Sequence, residues 1–332
     1  MSESKIRIAI LGAGAMGSEH AECYRELSEV EVAGVFSRNR ERASAAAKIC
    51  GARATTDPIE LIDDPSVDAI DVCVPSINHK EFVVAALMKG KHVFCETPFA
   101  LSIDDGRAMI QAARESKRIL LVGLLMRSIA NYEHIHRAVT SGEYGKLLGV
   151  TTYRLGSYLR PGAADHKAHY SDPSTELMTF DFDFIEWLMG TPARLHAVAI
   201  NAESGTPGEI SAVLDYDDGR IATVLASGIM PNSFAFSAGF RANFERGMFE
   251  LENVFEAGPP KSSFTFFPAE GSSYPVSLTG HNPFEKELRL FIQSIRGETD
   301  GRLLDPEHAM KALALSIATQ KSLRERRTIQ LR

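Results

Sequence analysis

A short apolar run, Ile6 to Leu11, passes directly into Gly12-Ala13-Gly14-Ala15-Met16-Gly17, and the residues that follow carry a helical pattern. Strand, glycine-rich turn and helix in that order are the sequence form of a phosphate-binding turn. Gly12 bends the chain off the strand, Gly14 lets the backbone approach a pyrophosphate, and Gly17 permits close packing of helix on strand. The helix opening at Ala15 and Met16 then aims its positive end at an anion. A plain tight turn is the alternative, but the position at a strand end and a helix start favours a dinucleotide.

The residues up to 123 continue the alternation that a doubly wound parallel sheet requires. After Ile6 to Leu11, short β-branched or apolar runs recur at Val30 to Phe36, Arg53 to Thr55, Ala69 to Val74, His92 to Cys95 and Ile119 to Gly123. Helix starts lie between them: Asp57-Pro58 and Ser102-Ile103-Asp104-Asp105 read as caps with acidic first turns, and Gly90 closes a helix from Asn78 to Lys89. The spacing predicts an α/β class with an N-terminal Rossmann domain over residues 1–123. From residue 124 the pattern changes to a helix near Asn131 to Thr140 and then longer strands, with Asp217-Asp218-Gly219 joining Ala212–Tyr216 to Arg220–Ser227 as a hairpin. Helical patterns at Pro283 to Arg296 and Pro306 to Arg324 complete an α+β second domain, 124–332, and the absence of a low-complexity linker predicts a tight cleft between the two.

Composition excludes several classes of partner. The 332 residues carry a formal net charge of -7 with no long Lys/Arg block, so neither nucleic acid nor a membrane surface is expected. The Met1-Ser2-Glu3-Ser4-Lys5 start lacks the apolar run of a secretory signal, and the expected compartment is the cytoplasm. Cys23, Cys50, Cys73 and Cys95 match no zinc or CxxC spacing and read as reduced, buried thiols; no metal is expected.

The end of the second strand discriminates between cofactors, because an Asp or Glu there would hold an adenosine 2'-hydroxyl. The chain has Ser37 and Arg38 instead, a hydroxyl and a planar cationic fork suited to a 2'-phosphate. NADP is favoured, with NAD as the other candidate. The alternative is that Arg38, Arg40 and Arg42 simply solvate a helix start.

Two further patches, Val72-Cys73-Val74-Pro75-Ser76-Ile77-Asn78-His79 and Gly90-Lys91-His92-Val93-Phe94-Cys95-Glu96-Thr97-Pro98, complete a resemblance to the Gfo/Idh/MocA family, the glucose-fructose oxidoreductase and inositol dehydrogenase group. Met126-Arg127, Ser141–Gly145 and Asp181–Gly190 extend it over nearly the whole chain. The resemblance implies a C-terminal domain with a large, open, mainly antiparallel sheet, assembly as a homodimer or homotetramer, and action on sugars, polyols or related carbonyls. It assigns Gly12, Gly14 and Gly17 to pyrophosphate, Ser37 and Arg38 to the adenosine ribose, Pro75, Asn78 and His79 to the nicotinamide side, and Glu96 to the nicotinamide ribose. His79 read alone is equally a helix-capping surface residue. Arg127 is a candidate contact to cofactor or substrate.

The departures fall on the chemistry. The family usually reads Glu-Lys-Pro where this chain has Glu96-Thr97-Pro98, and an Asp and a His where Glu176 and Phe180 stand. Removing a hydroxyl proton during hydride transfer needs a group that titrates near neutrality. Thr97 can only orient an oxygen, and Phe180 offers an apolar wall. Glu176 is a candidate base or a capping carboxylate. The loop from Tyr158 to Pro173 is faced toward nicotinamide and substrate in relatives and holds Tyr158, Arg160, His166, Lys167 and His169. Lys167 and His169 are the first choices for a relocated proton relay; Tyr158, Arg160, His166, Phe180 and Asp181 are candidate substrate contacts. A solvated loop is the alternative for each loop residue. Three readings follow: an NADP-dependent oxidoreductase of a small hydroxy or carbonyl compound, a glycoside-cleaving enzyme or lyase working through transient oxidation, and a non-catalytic cofactor-binding regulator.

Overall fold

The computed structural model describes residues 4–160, 172–256 and 260–331. Two compact units emerge. The first joins the residues up to Ser128 to His281–Met310, and the second joins Ile129–Gly280 to Lys311 onward. The 123/124 division expected from sequence thus shifts by five residues, and the segment beginning at His281 returns to the first unit.

In the first unit six strands, β1 (Ile6–Leu11), β2 (Val30–Phe36), β3 (Arg53–Thr55), β4 (Ala69–Val72), β5 (His92–Cys95) and β6 (Leu120–Val122), pair in parallel in the order β3-β2-β1-β4-β5-β6. Ile8, Ile10, Leu11, Ile70, Val72, Val93 and Phe94 are fully buried, as strands covered on both faces require. The helices are α1 (Ala15–Glu26), α2 (Arg40–Cys50), α3 (Ile59–Ile62), α4 (His79–Met88) and α5 (Ile103–Ser116). Of the caps read from sequence, Ser102 accepts from the Asp105 N–H at α5 and Asp57 accepts from the Ile59 N–H just before α3; Asn39, which the sequence reading did not single out, caps α2 by accepting from the Arg42 N–H. β4 stops two residues short of the expected Val74, because its partners β1 and β5 end at Leu11 and Cys95, both opposite Val72.

The second unit begins with α6 (Ala130–Ser141), β7 (Leu147–Leu155), α7 (Pro173–Glu176) and α8 (Met178–Met189). It continues with β8 (Arg194–Asn201), β9 (Pro207–Asp215), β10 (Ile221–Ser227), β11 (Phe236–Phe244), β12 (Gly247–Phe255), β13 (Lys261–Pro268) and β14 (Tyr274–Pro275). With β15 (Ile329–Gln330) these strands form a nine-stranded sheet in the order β14-β13-β12-β11-β7-β10-β9-β8-β15, antiparallel except for β7 against β10. The Asp-Asp-Gly hairpin closes in the expected register, Ile221 opposite Asp215. One face packs α8 on β7 and β10, with Tyr132 set edge-on to Phe184 and Phe240. The opposite face leaves Val198, Ile200, Val213 and Ile221 exposed. α9 (Pro283–Ile295) belongs to the first unit, while α10 (Pro306–Glu325) contributes residues to both.

All four cysteines are free; Cys23 and Cys95 are buried, whereas Cys50 and Cys73 are only partly so, which corrects the uniform burial expected for them. No helix of the described residues is long and apolar enough to cross a membrane.

His92, at the start of β5, accepts the Ile119 N–H on Nδ1 at 3.1 Å. Burial, then the nearby Arg118 guanidinium, pushes its imidazole down to about 4. The unfolded chain therefore takes up this proton first, so the contribution of neutral His92 is complete above the ordinary histidine range and is lost as pH falls toward 4. His92→Gln should flatten the acid limb of a urea-midpoint-against-pH curve by about 1–2 kcal/mol, a figure reduced for solvent screening of a part-exposed ring.

Candidate active site

At the carboxyl end of β1, where the strand order reverses, Gly12 takes φ 126°. A Cβ there would overlap the Cys73 carbonyl, and one on Gly17 would overlap the Gly12 carbonyl oxygen. Both glycines are thus required by close backbone approach. Gly14 differs: no described atom lies within 4 Å of where its Cβ would stand. It is the N-cap of α1, no side chain among the described residues caps that terminus, and the first turn holds no acid. Gly14 and Ala15 are exposed and Met16 is partly so. An uncapped, positive helix end beside open space at a glycine fits the pyrophosphate of a dinucleotide.

At the end of β2, Ser37 Oγ accepts the Asn39 N–H at 3.2 Å and Arg38 is exposed. Pro75 is exposed and Asn78 half-buried. His79 is 1 % exposed, its Nε2 2.8 Å from the Val74 carbonyl and its Nδ1 3.3 Å from the Phe99 carbonyl. The surface-capping alternative for His79 is therefore wrong. Burial pushes its imidazole below the ordinary value, and the ring ties the end of β4 to the segment after β5.

After β5, Glu96 Oε2 accepts the Thr97 N–H at 3.0 Å, and Thr97 Oγ1 donates to the Gly123 carbonyl at 3.3 Å. Thr97 precedes Pro98 through a cis peptide bond. Arg127 is 1 % exposed and donates to the Leu303 carbonyl at 3.3 Å, an anchor within the first unit. Sequence reasoning missed His20, which stands 3.0 Å from Glu96 Oε1 on one side and 2.8 Å from Asp71 Oδ2 on the other. Its signal was legible: Gly17, His20, Ala21 and Tyr24 form the buried stripe of α1. A cleft of about 950 Å³ opens at the opposite, amino ends of the strands, lined by Lys5, Asp68, Lys89, His92, Arg118 and Arg296. It contains none of the glycine turn.

In the second unit, Phe180 carries the Arg154 guanidinium 4.9 Å over its ring. Arg154 donates through Nε to Asp181 Oδ2 at 2.9 Å, and Asp181 is 1 % exposed. Asp181 is thus committed to a buried ion pair. Arg154 was missed as well, although an arginine at an inward position of the Val150, Thr152, Arg154 alternation marks a buried charge. Tyr158 is buried with its ring against Gly228, and Arg160 donates to the Ile229 carbonyl at 2.6 Å. Glu176 ends α7 rather than capping it; Asp172 is the N-cap, accepting the Ser174 N–H at 2.9 Å. His166, Lys167 and His169 lie outside the described residues.

A parallel sheet of order 3-2-1-4-5-6 with an uncapped glycine turn at its reversal point defines a Rossmann-type dinucleotide-binding protein, here carrying a second unit built on a large mainly antiparallel sheet. The chain belongs to the Gfo/Idh/MocA oxidoreductase family: residues 6–124 match its NAD-binding Rossmann-fold model and residues 132–250 its C-terminal domain model. Similar proteins include the myo-inositol 2-dehydrogenase of Thermotoga maritima, 27% identical with 98% of each chain covered. The NADP(+)-dependent D-xylose 1-dehydrogenase 2 of Haloferax volcanii is 26% identical, over 87% of this chain and 89% of its own. The WlbA dehydrogenase of Bordetella pertussis, solved with NADH and UDP-GlcNAcA, superposes with a TM-score of 0.82 at 20% identity, covering 99% of both chains.

Proposed function

We propose that this protein is an NADP-preferring oxidoreductase acting on a sugar, a polyol or a similar small hydroxy or carbonyl compound. The observation that carries the reading is the uncapped α1 terminus beside open space at Gly14, with Ser37 and Arg38, rather than an acid, at the end of β2. Relatives named as inositol and xylose dehydrogenases support the substrate class. When bound, the nicotinamide supplies the hydride acceptor or donor. The glycine turn holds the pyrophosphate, Ser37 and Arg38 hold the 2'-phosphate, and Glu96 holds the nicotinamide ribose. Thr97 orients an oxygen without exchanging its proton, so Lys167 and His169 are assigned the proton transfer. The exposed Val198, Ile200, Val213 and Ile221 face is proposed to pair with a second copy of the chain, which sedimentation velocity reads directly.

Fluorescence titration with NADPH and NADH tests the reading. Tight NADPH and weak NADH binding are expected, and Arg38→Ala should weaken NADPH by about tenfold to a hundredfold while leaving NADH nearly unchanged, the loss of one charge-assisted contact. Binding of neither dinucleotide would refute it. Once a substrate is found, Lys167→Ala and His169→Ala should each lower kcat by roughly tenfold or more at unchanged cofactor affinity. Unaltered turnover in both would overturn the relay assignment.

A further inference from the structure

Four elements of the first unit converge on a set of buried ionisable groups. α1 brings His20 and Tyr24, the end of β4 brings Asp71 and Cys73, the end of β5 brings Glu96, and α9 brings Glu287. His20, Asp71 and Glu287 are 0 % exposed. Glu287 occupies the apolar stripe of α9 with Leu288, Phe291 and Ile292, and neither of its carboxyl oxygens has a hydrogen-bond partner among the described residues. One of them lies within 4.8 Å of both a His20 ring nitrogen and a Glu96 oxygen. His20 Nδ1 faces Asp71, while its Nε2 and Glu96 Oε1 stand at ion-pair distance, 3.0 Å, without hydrogen-bond alignment.

Two carboxyls this close in a largely buried cluster do not both keep a charge, and one left without a donor takes up a proton. Asp71 and Glu96 flank the two nitrogens of His20, so an imidazolium there satisfies both, and Glu287 is left as the neutral member. We propose that Glu287 is a permanently protonated carboxyl that donates to Glu96 and, together with His20, positions Glu96 at the carboxyl end of β5. Glu96 is then fixed by His20 on Oε1, the Thr97 N–H on Oε2 and the Glu287 proton. Its consequence for cofactor binding rests on the reading of Glu96 as a ribose contact.

The surrounding groups agree. Burial, then the neighbouring Glu96, pushes the Glu287 carboxyl well up, and His20 opposes them only in part. Burial alone would lower His20, but the charges around it and its contact with Asp71 raise it well above its ordinary value. Burial, then the Asp71 charge, drives the Cys73 thiol up, so it stands beside His20 as a neutral thiol. Tyr24 is raised by burial and by Asp71 and stays neutral, as does Cys23, pushed up to about 11 at the border of the cluster beside Glu19 and Glu285. The Phe94 and Phe284 rings, 5.8 and 6.2 Å from His20, close it to water.

Infrared difference spectroscopy of the wild-type protein against Glu287→Gln at neutral pH, with metal analysis of the same samples and NADPH and NADH titrations, tests this. A protonated-carboxyl carbonyl band lost in Glu287→Gln is expected. In the titrations Glu287→Gln, which keeps a donor, should hold its affinity within about threefold, while Glu287→Leu weakens by at least about tenfold. Absence of the band, a stoichiometric divalent ion in the purified protein, or a Gln variant as impaired as Leu would overturn the proposal. Should the Gln variant fail to fold, the band in wild-type protein between neutral and alkaline pH decides alone. A band present in a protein that binds neither dinucleotide would support the protonated carboxyl and refute the cofactor reading instead.

Discussion

Arg154→Ala should lower the stability of the second unit by about 3–5 kcal/mol, the range for removing one member of a buried ion pair, and the urea midpoint at pH 7 measures it. The guanidinium is held between the Asp181 carboxylate and the Phe180 ring, so the variant loses both contacts. More of the effect comes from what remains. Burial already pushes the Asp181 carboxyl up, and Arg154 is the chief influence holding it down. Without the arginine, Asp181 must either stay charged in an apolar setting or take up a proton on folding. A carboxyl raised in the folded state contributes stability at low pH and loses it as pH rises, so the deficit of Arg154→Ala should narrow on acidification. Arg154→Met with Asp181→Leu should recover most of the loss, because no charge is left buried. A single variant indistinguishable from wild type at pH 7 would show the pair to be solvated.

Gly17→Ala should abolish dinucleotide binding and destabilise the first unit by about 2–4 kcal/mol, at the upper end of overpacking effects. Its methyl would collide with the Gly12 carbonyl, which is backbone and cannot rotate aside. Gly12 in turn is held against the Cys73 carbonyl, so the only relief is retreat of α1 from β1, which spoils the aim of the helix terminus. Gly14→Ala is the informative contrast. Its backbone, φ -86°, suits any residue and no described atom crowds the new methyl. Stability should change by less than about 0.5 kcal/mol. The same methyl occupies the space reserved for the pyrophosphate and should weaken binding by at least about tenfold, or 1.4 kcal/mol. Equal affinity in Gly14→Ala and wild type would mean that no phosphate approaches this turn.

The parallel strands were legible because strands buried on both faces are short, continuous apolar runs, and β1, β2 and β5 begin and end where that pattern does, while β4 and β6 fall short of it. The place of Ser37 and Arg38 at the end of β2 was legible for a similar reason, since strand and turn fix it. The two buried charge sites were not. His20, Glu287 and Arg154 each stand on an apolar stripe or an inward strand position, which flags a buried polar group but not its partner. His20 and Glu96 meet Glu287 across more than 190 residues, and Phe180 reads as a lost acid-base position until the strand beside it is seen to supply a guanidinium. Nor does any local signal in α9 announce that it packs with the opening residues of the chain. Its amphipathic stripe would serve either unit, and contacts such as Phe291 with Phe94 at 5.6 Å and Phe284 with His20 at 6.2 Å decide.

That return of α9 has a bearing on how the protein is made. The first unit is finished by residues made only after the whole of Ile129–Gly280, since His281–Met310 completes a core that includes Ile6. At translation rates of 5–20 residues per second, the stretch between Ser128 and His281 takes roughly 8–30 s to synthesise. During that interval the nascent six-stranded sheet lacks the helix that covers Phe94 and delivers Glu287 to His20. The glycine turn is made long before α9, yet the unit that aims it closes only once α9 has been made, and a fragment cut at residue 128 would stay in that unfinished state.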